Sequence, residues 1–148
     1  KVTDANNQFG FRLLHKIPIS SEENLFFSPY SVSTAMAMAY VGARGETQQD
    51  LHETLGYTSA GLTSDHVPSA HAQHTHLPQH THLLRAPSNS TIRVANAAVV
   101  KDGYSVLSEY LELLRGCFEA EITTAALSDQ QSLNAINDWV KNKTEGKI

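Results

Sequence analysis

Residues 71–85 read HAQHTHLPQHTHLLR and place five histidines, His71, His74, His76, His80 and His82, within twelve positions. Neutral imidazoles ligate zinc, copper or nickel, and protonated ones make a basic patch that exists only below about pH 6.5. Spacing weighs between these chemistries. His71 and His74 stand at i, i+3 and could share a helical face, whereas His76 and His80, at i, i+4, are separated by Pro78, which breaks the helical ladder. No H-E-x-x-H pattern and no nearby cysteine accompany them, and Asp65 is the nearest acidic residue upstream. The stretch is also a direct repeat. Gln73-His74-Thr75-His76-Leu77 is followed by Gln79-His80-Thr81-His82-Leu83. The six-residue offset matches neither the helical nor the heptad period, so the copies would not stack on one face. A local duplication in an exposed segment accounts for the pattern. The expectation is no metal site and no cofactor. The histidines and Arg85, the one fixed cation between residues 58 and 92, are left as pH-dependent polyanion contacts or weak metal contacts.

Other reactive groups are sparse. Cys117 is the single cysteine, so neither an internal disulfide nor a zinc finger is available. Its neighbours Glu119 and Glu121 do not make the electropositive setting of a reactive thiol. These two acids would share a strand face in solvent. Sequence alone gives no convergent Ser-His-Asp geometry, and the chain is not expected to be an enzyme. Asn89-Ser90-Thr91 and Asn142-Lys143-Thr144 are acceptor motifs for N-glycosylation, which makes Asn89 and Asn142 candidate modification sites.

The elements that must position these residues follow from composition and periodicity. Hydrophobic residues make up 41% of the 148, charged residues 18%, and the net charge is −4. That supports a packed core and gives no basic stripe for nucleic acid. No apolar run is long enough to span a membrane, and any targeting segment is absent or already removed. Ala5, Phe9, Leu13 and Ile17 predict a helix over 3–17, capped by Thr3 or Asp4 and ended by Pro18. NLFFS, 24–28, reads as a buried strand. Ser28-Pro29 then opens a helix that is apolar nearly all round and therefore buried. A third helix carries Leu51 and Leu55 and stops at Gly56. Residues 57–90 form a variable, polar, histidine-rich region. TIRVANAAVV, 91–100, favours a strand, within which Asn96 serves structural hydrogen bonding. Leu107, Tyr110, Leu111 and Leu114 mark a helix ended by Gly116, and FEAEITT, 118–124, a strand. Ser128 and Gln131 match a capping box before a final helix with Leu133, Ile136 and Val140 on its stripe and Trp139 at its border.

NLFFSPYSVSTAMAMAYVGARGET resembles the serpin pattern of a short buried strand, an FSP turn and a buried helix B. Val94-Ala95-Asn96-Ala97 resembles a main-sheet strand of that family. INDWVKNKTEGKI, 136–148, is similar to the ending of serpin helix F. The detailed wording is arthropod-like. The resemblance implies an α+β class, the helix-rich N-terminal part of a serpin fold (helices A to F with a few sheet strands) as one segment over 1–148, with residues 57–90 as its helix D region. It implies a serine protease inhibitor that acts as a suicide substrate, its cleaved reactive loop inserting into the central sheet. It places Ser28 and Ser31 in the polar shutter beneath that opening, and Asn137, Trp139, Thr144, Gly146 and Lys147 in the helix F pattern. The expected partner of a full-length form is an extracellular serine protease, with glycosaminoglycan at acid pH as a further one, and secretion is expected. These 148 residues lack the reactive loop. The alternative is therefore a non-inhibitory truncated serpin that binds a protein or polyanion, and self-association or a companion chain is expected for the isolated segment.

Overall fold

Apolar residues at four-residue spacing fold into α1 (Val2–Lys16) in the computed structural model. The structure describes residues 1–18, 22, 24–76 and 94–148. The chain divides into two compact units, Lys1–His74 and Thr75–Ile148. The division falls inside the histidine-rich region.

In the first unit α1 starts near its predicted position, with Ala5 and Phe9 buried. The segment 24–28 is not a strand. A strand exists only through a ladder partner, and none pairs with this segment among the described residues. Phe26 is 96% exposed, so the expectation of burial also fails. Next comes α2 (Pro29–Gly42), which is two-sided despite its apolar composition. It buries Ala37, Met38, Tyr40 and Val41 and leaves Val32 and Met36 outside. Gly10 lets α1 approach it: a Cβ there would lie 2.8 Å from the Cβ of Pro29. The third helix, α3 (Gly45–Thr54), ends before Gly56, whose φ of +79° requires glycine's freedom. A 3₁₀ turn at Ser64–His66 leads into α4 (Val67–Thr75), which buries Val67 and His71.

The second unit is built on a parallel pair. β1 (Ala97–Lys101) and β2 (Glu121–Ala125) run in register from Ala97 opposite Glu121 to Lys101 opposite Ala125. Parallel strands need a crossover, and α5 (Ser108–Phe118) supplies it. This helix runs past Gly116, because Leu114 and Phe118 are fully buried and that packing outweighs the roughly 1 kcal/mol that a helical glycine costs. Consequently the following strand begins at Glu121 rather than at Phe118. The Asn96 amide donates to Phe118 O at 2.8 Å, tying the end of α5 beside the start of β1. The last helix, α6 (Gln130–Lys143), is capped by Asp129, which accepts from Ser132 N at 2.6 Å, one residue later than the capping-box reading placed it. Helices dominate and the sheet is small, as the α+β class implies. No helix among the described residues is long and apolar enough to cross a membrane.

Candidate functional site

The FSP turn is built by capping chemistry. Ser28 is extended (φ −109°, ψ 102°), and its hydroxyl accepts from Ser31 N at 3.2 Å while the Ser31 hydroxyl donates to Ser28 Oγ at 2.9 Å. Pro29 fits the first turn because its missing N–H has no helical partner there. Both serines are exposed. The buried polar contact lies one turn on: Ser33 donates to Asn6 Oδ1 at 2.8 Å and so joins α2 to α1. Sequence reading missed Asn6. Its only signal is a polar residue on the same helical face as Phe9, one that only the facing Ser33 explains.

The histidines separate. His71 is 3% exposed, and its Nε2 is 2.8 Å from the Tyr57 hydroxyl, with the rings edge to face. Burial, and secondarily the neighbouring His74, pushes the His71 imidazole down to about 4; burial raises the Tyr57 phenol. Tyr57 also meets Tyr40 edge to face, and the Tyr40 hydroxyl is 2.9 Å from His52 Nδ1. His71 is thus a core residue, committed to a phenol and shielded from solvent, and burial removes it from the proposed surface contacts. His74 is half-buried, stacked on Tyr30 with its Nε2 3.4 Å from Thr3 Oγ1. His76 is exposed and pairs with Glu119 at 3.1 Å, and Thr75 donates to Cys117 O at 3.1 Å. Residues 75 and 76 therefore cover the C-terminal end of α5. His80, His82, Arg85 and Asn89 lie outside the described residues.

The two acids after Cys117 do not share a strand face. Glu119 ends α5 in the left-handed region at φ +51°, and Glu121 opens β2. One Glu121 carboxylate oxygen accepts from Trp139 Nε1 at 2.6 Å; the other pairs with the Lys143 ammonium. The ammonium also lies 5.9 Å from the Trp139 ring centre, within cation–π range. First Lys143 and then the indole N–H hold the Glu121 carboxyl below the usual carboxylate range. Beside this group a cavity of about 730 Å³ opens between α6 and the strands, lined by residues that include Val99, Ile122, Ile136 and Val140.

The remaining α6 pattern is mainly conformational. Thr144 donates to Val140 O at 2.9 Å and accepts from Ile148 N at 3.2 Å. Gly146 has φ +75°, and its N–H reaches Lys141 O at 2.7 Å. Asn137, Asn142 and Lys147 are exposed. Burial pushes the Cys117 thiol up, away from the reactive thiolate.

The family model described as Serpin (serine protease inhibitor) matches residues 4–148. Iripin-1 of Ixodes ricinus is 49% identical over all of this chain, which spans 37% of that protein's length. Intracellular coagulation inhibitor 2 of Tachypleus tridentatus is 35% identical over 97% of this chain and 34% of its own. Among solved structures, cleaved kallistatin complexed with heparin superposes with a TM-score of 0.79 at 31% identity, over 97% of this chain and 41% of that one.

Proposed function

Since the chain belongs to the serpin family and corresponds to the N-terminal portion of an arthropod serpin, we propose that the complete protein is a secreted suicide inhibitor of an extracellular serine protease. The observation that carries this reading is the match along nearly the whole chain to inhibitors, with the FSP turn and the helix F ending among the matched residues. In it, β1 and β2 contribute to the sheet that receives the cleaved loop, Ser28 and Ser31 belong to the shutter, and α6 lies over the strands. Glycosylation at Asn142 fits an amide exposed on the last turn of α6. The test is incubation of the full-length protein with trypsin-like and chymotrypsin-like proteases. An SDS-resistant complex is expected, and its absence with every active protease would defeat the reading.

A second reading, a polyanion-binding module, is favoured by the heparin carried by the kallistatin relative. For this chain it rests on His76, on His74 in part, and on His80, His82 and Arg85, since His71 is buried. Retention on heparin should rise from pH 7.5 to 5.5, and equal retention would rule it out. Phe11 and Phe26 in the first unit and Leu107 in the second are each more than 60% exposed, and such apolar surface favours self-association of the isolated segment or a companion chain. A monomer in sedimentation velocity would count against that.

A further inference from the structure

We propose that the Tyr57–His71 contact is an acid-opened clamp: protonation of His71 releases α4 from the first unit as a local, reversible step that comes before α1 and α2 give way. The clamp does not depend on the inhibitor reading. Three observations carry it. The His71 imidazole is 3% exposed, and its Nε2 lies 2.8 Å from the Tyr57 hydroxyl with the two rings edge to face. Further chain can only add cover to a side chain already shut from solvent, so this burial holds in a longer protein. The contact joins α4 to the segment that follows α3, and His71 and Val67 are the buried residues of α4. That helix has nine residues, and a helix so short does not persist in water on its own. Its structure therefore depends on staying docked.

While α4 is docked, a proton on His71 has no outlet. The titratable groups around the ring are Tyr57 and, behind it, Tyr40 of α2 and His52 of α3, whose ring centres lie 5.3 and 5.5 Å from that of Tyr57; His74 stands one turn along α4. The phenols stay neutral in acid, and His52 and His74 can only gain positive charge. Burial first, and then His74, holds the His71 imidazole at about 4. Undocking returns it to water, where a histidine titrates near 6.5. Protons taken up between these values favour the open form, because that form binds them more tightly. His52 makes a second phenol–imidazole pair, its Nδ1 2.9 Å from the Tyr40 hydroxyl, but it joins α3 to α2 and leaves α4 out. His71 is thus the sensor, and Tyr57 the surface it releases.

The test is amide hydrogen exchange on the full-length protein at pH 7.5 and 5.0, each rate divided by that of the unstructured peptide, for the parent, His71→Gln and His52→Gln. With titration at about 4 docked and about 6.5 released, the open fraction of residues 67–74 should rise about twenty- to thirtyfold between the two pH values. At pH 5.0 it should exceed the open fraction of α1 and α2 by about tenfold or more, as a separate local opening requires. H71Q, which does not titrate, should lose the rise, and H52Q should keep it. No rise in the parent, a rise that persists in H71Q, a rise lost in H52Q, or openings of α4 no more frequent than those of α1 and α2 would each overturn the clamp. Tyr57→Phe removes the hydroxyl without adding volume and serves if H71Q does not fold. It should open residues 67–74 about three- to tenfold more often at pH 7.5, and unchanged exchange there overturns the clamp as well.

Discussion

Acidification should destabilise the first unit through one side chain, His71. The imidazole sits at about 4 when folded, against about 6.5 in an unfolded chain. The folded state therefore binds fewer protons, and stability rises with pH wherever the unfolded chain holds more. The contribution is fully present above pH 6.5 and is lost as the pH falls to about 4. A difference of about 2.5 units sets its ceiling at about 3 kcal/mol, of which about 2 kcal/mol is gone by pH 5. Among the described residues, no group facing His71 offers a negative charge to offset its protonation. Tyr57 is held as a neutral phenol, and Tyr40 stands edge-on behind it. His74, one turn along α4, adds positive charge in acid and opposes protonation further. The assay is a ring-carbon NMR titration of His71, paired with denaturant unfolding at pH 7.5 and 5.0. His71→Gln retains a partner for the Tyr57 hydroxyl but does not titrate, so its loss of stability between those pH values should be smaller by about 2 kcal/mol. A His71 titration midpoint near 6.5, or an unchanged pH slope in H71Q, would refute the reasoning.

Three further outcomes are expected. Gly10→Ala forces α1 away from Pro29, because the added Cβ meets it at 2.8 Å; overpacking of this kind costs about 1–3 kcal/mol in urea unfolding. Ser33→Ala strands the Asn6 carbonyl oxygen and should cost about 1–3 kcal/mol, whereas Asn6→Ala combined with Ser33→Ala should cost less than the sum of the singles in a double-mutant cycle. Secreted protein should yield Asn142 converted to aspartate on enzymatic deglycosylation, detected by peptide mass, and Thr144→Ala should abolish that conversion.

Local signals in the sequence were good guides where one short segment decides the outcome. Ser28-Pro29 reads directly as a cap and first turn. Leu107, Tyr110, Leu111 and Leu114 mark α5, and Gly56 and Gly146 mark backbone positions with positive φ. Long-range partners were not legible. The pull of Leu114 and Phe118 into the core carried α5 through Gly116, and NLFFS is apolar with no ladder to join among the described residues. The candidate site divides the same way. His71 looked like a surface ligand because nothing near it announces Tyr57, fourteen residues upstream in sequence and 2.8 Å away in space. Glu121 is exposed, as expected, but its partners were not visible, because Trp139 and Lys143 come from a helix that returns over the strand. Spacing along a chain cannot display such convergence.

Trp139 is the only tryptophan of the chain, and it lies in the second unit with Tyr104 and Tyr110; Tyr30, Tyr40 and Tyr57 belong to the first. The segment therefore carries one optical reporter confined to the second unit and another weighted toward the first. Emission excited at the red edge of the indole band comes from Trp139 alone, with a carboxylate at its N–H and a cation near its ring. Ultraviolet difference absorption in the phenol band is weighted toward Tyr40 and Tyr57, both almost fully buried. Coincident melts by the two signals would mark one cooperative transition. Separated melts would show the halves of this segment unfolding in turn, and the order would identify which half gives way first.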